Sequence, residues 1–160
     1  MTHVFVTHIR PIIEYASTVW NTGYIEDVRR LEAVQRLWTR HIKGLEHKTY
    51  EERLKVLDLY SIKGRLLRAD LIKTWKIFHG LSPIKPLDLW DMAPAGRTRG
   101  NTLKIKFQRR QLDSTKRYFT DRIVKDWNAL PNSTVTMNSL AEFKSSLAGI
   151  LGDRLYEYLA

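Results

Sequence analysis

The side chains that could hold a metal ion in this chain are carboxylates and the five histidines His3, His8, His41, His47 and His79, because cysteine is absent. No two of the histidines stand at i and i+4 around a glutamate, the spacing by which a helix presents two imidazoles to zinc. No thiolate is present to complete such a site. The adjacent acids Glu26 with Asp27 and Glu51 with Glu52 fall in the first turns of expected helices, where negative charge stabilises the positive end of the helix dipole. A two-metal centre would need a further carboxylate converging from elsewhere. The chain also lacks a Gly-rich phosphate loop, a G-x-S-x-G elbow and a nucleophile beside a base, so residue types and spacing offer no recognisable catalytic constellation.

The basic residues carry the stronger signal. The 160-residue chain has a formal net charge of +10, which favours an anionic partner and makes its binding depend on salt. Between Arg97 and Lys125 stand Arg97, Arg99, Lys104, Lys106, Arg109, Arg110, Lys116, Arg117, Arg122 and Lys125, opposed by Asp113 and Asp121 alone. Cations at that density suit a phosphate backbone, which they grip by releasing counterions without reading bases. A second basic face, Arg29, Arg36, Arg40 and Lys43, lies along one side of an expected helix. Ion pairs such as Glu32 with Arg36 are the plainer account of those charges. Tyr15, Trp20, Trp38, Trp75, Trp90 and Trp127 could stack unpaired bases. Trp38, Trp75 and Trp127 lie on apolar stripes and are expected in the core, while Trp20 and Trp90 lie near element ends.

The elements that position these residues are mostly helices. Val28, Leu31, Val34, Trp38 and Ile42 recur at spacings of three and four, predicting an amphipathic helix closed by Gly44. Thr49 with Glu52 has the pattern of a capping box opening a short helix. Ser61 opens a longer helix with the stripe Ile62, Leu66, Ala69, Ile72, Trp75 and Phe78, ended by Gly80. Pro83, Pro86, Pro94, Gly96 and Gly100 crowd the next stretch and predict an irregular connection. Leu103, Ile105 and Phe107 alternate with Lys104, Lys106 and Gln108, the period of a short strand or one arm of a hairpin. From Ser114 the positions Tyr118, Phe119, Ile123, Trp127 and Leu130 return to helical spacing, and Pro131 stops the helix. Ser139 with Glu142 marks a last capped helix through Leu140, Phe143 and Leu147.

Several blocks resemble, in order, the region that follows the catalytic core of reverse transcriptases from jockey-type non-LTR retrotransposons. They are RPIIEYASTVW (Arg10 to Trp20), RRLEAVQRLWTRHIKGL (Arg29 to Leu45), TYEERLKVLDL (Thr49 to Leu59), RLLRADLIKTWKIFHGL (Arg65 to Leu81), RTRGNTLKI (Arg97 to Ile105) and RYFTDRIVKDWNALP (Arg117 to Pro131). The chain departs from the family at Leu66, where a second adjacent arginine is common, and at Asn101, where a histidine often follows RTRG. The resemblance implies a thumb whose helix tracks the sugar-phosphate backbone of a primer and template duplex, which gives Arg29, Arg36, Arg40 and Lys43 a phosphate-contacting role. It also implies a parent enzyme that copies RNA into DNA with two magnesium ions. The Tyr-x-Asp-Asp turn that binds those ions has no counterpart here, so their ligands are expected before Met1 and no cofactor is expected on this chain.

The expected architecture is mainly α: a thumb-like helical bundle over 1–81, a Pro/Gly-rich connection over 82–100 and a small basic helical lobe over 101–160, with room for one short β-hairpin. The expected function is to hold RNA, DNA or an RNA/DNA hybrid for a reverse transcriptase without polymerising. The contacts are expected from Arg29, Arg36, Arg40, Lys43, Arg97, Arg99, Lys104, Lys106, Arg109, Arg110, Lys116 and Arg117. The alternatives are a non-catalytic module that docks on the polymerase palm and a small nuclease built on scattered carboxylates. The apolar streak near the N-terminus is interrupted by His3, His8, Arg10 and Glu14, too short a run to span a bilayer or form a signal segment. The expected setting is therefore intracellular, nucleus or cytoplasm, without a membrane partner.

Overall fold

The computed structural model describes residues 2–94, 101–110 and 112–158, apart from the side chains of Thr2, Asp113 and Ser114. The fold is mainly helical, and among the described residues no strand or sheet forms. The chain packs as two compact units, Met1–Leu67 with Gly152–Ala160, and Arg68–Leu151. The division falls within the helix Ile62–Phe78, whereas composition placed the boundary in the Pro/Gly-rich stretch 82–100.

In the first unit, helical residues 2–14 include a π-helical stretch, Phe5–Ile9, before Arg10–Glu14. The helix Ile25–Arg40 follows. Its buried face differs from the apolar stripe read in the sequence. Val28, Glu32, Gln35 and Thr39 are buried, whereas Val34 and Leu37 are 45% and 61% exposed. Gly44 takes φ +87° beyond the helix end, a conformation open to glycine at no steric cost.

Thr49 caps the short helix Tyr50–Val56. Its hydroxyl accepts from the Glu52 backbone N–H, and the Glu52 carboxylate accepts from the Thr49 backbone N–H at 2.7 Å. The next helix starts against residues far away in sequence. Glu32 Oε2 accepts from the backbone N–H groups of Ile62 at 3.0 Å and Lys63 at 3.4 Å, and Ser61 Oγ accepts from Gly64 N at 3.0 Å. Three N–H groups that a helix start leaves without partners are thereby satisfied. The C-terminal segment closes this unit, with Ser61 Oγ within hydrogen-bond reach of the carbonyls of Leu155 at 3.2 Å and Glu157 at 2.6 Å. A Cβ at Gly64 would stand 2.4 Å from the Leu155 carbonyl oxygen, so only glycine allows that approach.

The second unit has an aromatic core. Trp75, Trp127 and Phe143 are fully buried. Trp75 stacks on Phe143 with ring centroids 5.3 Å apart, and Phe78 lies between Trp127 at 5.1 Å and Trp90 at 5.9 Å. Such rings bury large apolar areas and gain from offset stacking. Gly80 ends the long helix with φ +69°.

Two sequence expectations change in this unit. The strand of residues 103–107 reduces to a single antiparallel bridge between Met92 and Ile105. Ile105 is 1% exposed and Phe107 71%, so the alternation is not a buried face. Ile105 is instead held by Asn128, whose side chain accepts from Ile105 N at 2.9 Å and donates to Ile105 O at 2.8 Å. The single helix expected across 114–130 divides into Asp113–Lys116, Phe119–Arg122 and Val124–Asn128. Tyr118 is extended, with ψ 151°. Side chains claim backbone carbonyls in this stretch: Arg122 donates to that of Arg117 at 3.0 Å and Trp90 to that of Thr120 at 2.7 Å.

Candidate nucleic-acid interface

In the first unit, the helix Ile25–Arg40 carries Arg29, Arg36 and Arg40 of the basic face read in the sequence, and the structure gives them different surroundings. Arg29 pairs with Glu26 one turn earlier. Arg36 is half-buried, its guanidinium 5.2 Å from the ring centroid of Tyr50 and 5.1 Å from that of Tyr158. The two rings meet edge to face at 4.9 Å. Desolvated cation–π contacts of this kind hold a guanidinium inside the protein. Arg36 is therefore placed among aromatic rings rather than on an open phosphate track. Arg40 and Lys43 are exposed and have no ion pair among the described residues.

Beside Arg36 lies a polar network that sequence reasoning did not anticipate. Tyr50 Oη donates to Glu32 Oε1, and Gln35 Nε2 donates to Tyr50 Oη at 3.1 Å and to the Tyr60 carbonyl at 3.0 Å. Burial pushes the Glu32 carboxyl above its ordinary range. The Tyr50 hydroxyl, the Ile62 and Lys63 N–H groups and the Arg36 charge oppose that shift. Burial, reinforced by Glu32, pushes the Tyr50 hydroxyl far upward, so it remains a proton donor at neutral pH. The available clue was the polar stripe Glu32, Gln35 and Thr39, at helical spacing like the apolar stripe beside it.

The same unit joins Arg10 and Glu14 to Arg65. Glu14 receives Arg65 through Nε and, at 2.5 Å, through Nη2, while Arg10 Nε stands 3.7 Å from Glu14. Burial and the neighbouring Arg65 charge lower the Arg10 pKa, against the opposing pull of Glu14. These arginines brace the fold. Arg53 likewise donates to the Lys48 carbonyl at 2.9 Å.

In the second unit, the stretch rich in cations is partly committed to contacts within the protein. Arg110 pairs with Asp121 at 2.9 Å. Arg122 grips Asp70 through Nε at 2.8 Å and Nη2 at 3.0 Å. Asp70 is 3% exposed, and burial pushes its pKa up despite the arginine. Lys104, Lys116 and Arg117 also engage partners. Lys106 and Arg109 are exposed, with no ion pair among the described residues. Arg97 and Arg99, with the rest of the RTRG block, lie outside the described residues. Asn101 is buried and donates to the carbonyls of Trp127 at 3.0 Å and Leu130 at 3.2 Å.

Among the stacking candidates, Trp75, Trp90 and Trp127 are buried and Trp38 is half-buried against Phe5. Tyr15 is 80% exposed, and the exposed Trp20 donates to the Tyr15 carbonyl at 2.6 Å. Among the described residues, no group of three histidines or carboxylates is placed to hold a metal ion, and no helix is long and apolar enough to cross a membrane. No protein-family model, curated protein or solved structure matches this chain.

Proposed function

We propose that this chain is the thumb and post-thumb part of a jockey-type retrotransposon reverse transcriptase, and that it holds RNA, DNA or their hybrid through phosphate contacts without a polymerase centre of its own. The observation that carries the reading is that Arg40, Lys43, Lys106 and Arg109 are exposed and without ion pairs among the described residues, on a chain of net charge +10. The ordered family blocks support the same reading. Residues from separate blocks meet: Glu14 with Arg65, Glu32 with Tyr50, Asp70 with Arg122, and Asn101 with the Trp127 carbonyl. Their side chains act as internal clamps, which leaves phosphate contact to the cations outside the clamps.

Fluorescence anisotropy with labelled single-stranded RNA, DNA and RNA/DNA hybrid tests the reading. Affinity should fall steeply between low and physiological salt, and Lys106→Ala and Arg109→Ala should each reduce the logarithmic salt slope by about 1 where the residue contacts a phosphate. Absence of binding at low salt refutes it. In primer extension the chain alone should give no incorporation, and nucleotide addition above background would overturn the non-catalytic assignment.

A second reading is a non-catalytic module that docks on the polymerase palm. It is favoured by exposed apolar side chains in the first block, with Ile12 78% and Val19 84% exposed.

A further inference from the structure

An apolar groove of about 340 Å³ is lined by Phe5, Ile9, Val34, Leu37, Trp38 and His41. It lies within the first unit and uses the face that the helix Ile25–Arg40 leaves outside when it buries Glu32, Gln35 and Thr39. The charges along the groove have one sign. Arg30 stands one helical turn before Val34, and Arg40 follows Leu37 at i+3, positions that share a helix surface. Arg30, Arg40 and His41 are all exposed. No carboxylate occurs from Ala33 to Gly44 on one wall or from Met1 to Ile13 on the other. A floor of aliphatic and aromatic carbon bordered by cations is complementary to a helix with an apolar stripe flanked by glutamates or aspartates.

We propose that this groove is a docking site for an acidic amphipathic helix of a protein partner. A nucleic-acid strand fits the groove less well. Phe5 is fully buried and stacked on Trp38 at 4.5 Å with the planes 21° apart, so those ring faces meet each other, and Val34 and Leu37 offer branched aliphatic surface. Leucine-type side chains at i, i+4 and i+7 fill such a surface, whereas bases require open ring faces. The proposal shares Arg40 with the phosphate-holding reading but is tested apart from it, because Val34, Leu37 and Arg30 have no part in that reading.

The test uses the full chain and a fluorescein-labelled synthetic helix with leucines at i, i+4 and i+7 and glutamates on both sides, beside a scrambled peptide of the same composition. The ordered peptide should bind at least about tenfold tighter than the scrambled one, and Leu37→Asp should weaken it by a similar factor. Arg30→Glu should weaken it roughly threefold and reduce its salt dependence. Both substitutions fall at exposed positions, and circular dichroism verifies that the helices persist. Equal binding of the two peptides, or binding indifferent to Leu37→Asp, overturns the proposal. Oligouridylate that competes with the peptide and loses affinity with Leu37→Asp would assign the groove to nucleic acid and also overturn it. A dimer seen by sedimentation that Leu37→Asp abolishes would do the same in favour of a second copy of the chain.

Discussion

In the unit Met1–Leu67 with Gly152–Ala160, the buried side of the helix Ile25–Arg40 carries Glu32, Gln35 and Thr39, whereas in Arg68–Leu151 the fully buried side chains include Trp75, Trp127 and Phe143. The first unit spends a carboxylate on a helix start and faces Val34 and Leu37 outward. The second gathers its large rings inward and places its buried carboxylate, Asp70, against Arg122. A buried polar face depends on hydrogen-bond partners placed to meet it, and an aromatic core requires volume and ring geometry. The units should therefore fail for different reasons.

Substitution in the aromatic core should have the largest effect. Trp127→Ala removes a fully buried ring and frees the Leu103 carbonyl that its indole N–H reaches at 2.8 Å. It should destabilise the second unit by about 3–5 kcal/mol, measured by urea denaturation. Loss of less than 1 kcal/mol would show that stacked rings are not what holds this unit.

Next is Arg122→Ala, which leaves Asp70 buried without its bidentate partner. The cost should be about 3 kcal/mol at neutral pH and should shrink on acidification, when Asp70 takes up a proton. A double variant, Asp70→Leu with Arg122→Met, should recover most of the loss, and failure of that rescue would count against a self-contained clamp.

The smallest and most diagnostic effect belongs to Glu32→Gln. The folded-state pKa of Glu32 lies above its ordinary value of 4.5. The folded chain therefore holds this proton more tightly than the unfolded one. The stabilising contribution is complete below about pH 4.5 and is lost as pH rises through the raised value. Glutamine cannot ionise, so the variant should lose this part of the pH slope between acidic and neutral pH. Urea midpoints at several pH values measure it, and an unchanged slope would show that Glu32 does not titrate on unfolding.

Local signals predicted several elements well. The capping box of Thr49 and Glu52, the helix opening at Ser61 and the stop at Gly80 depend on backbone groups a few residues away, and all are present, whereas the helix expected to close at Gly44 already ends at Arg40. The pattern at 114–130 misled because helical spacing does not reveal that side chains of Trp90 and Arg122 claim backbone carbonyls there. The cation tracks were only partly legible. Arg29, with its partner three residues away, was open to an ion-pair reading from sequence, but the aromatic enclosure of Arg36 depends on Tyr158, far along the chain.

Composition and short-range pattern settled the helical character, several helix ends, the excess of positive charge and the lack of thiol chemistry, since each follows from residue identity or from neighbours within one turn. Long-range packing settled which side of the helix Ile25–Arg40 faces inward and which cations remain available to a ligand. Helical periodicity records spacing and carries no information on distant partners. Glu32 can be buried only because a hydroxyl 18 residues away and N–H groups 30 and 31 residues away converge on it.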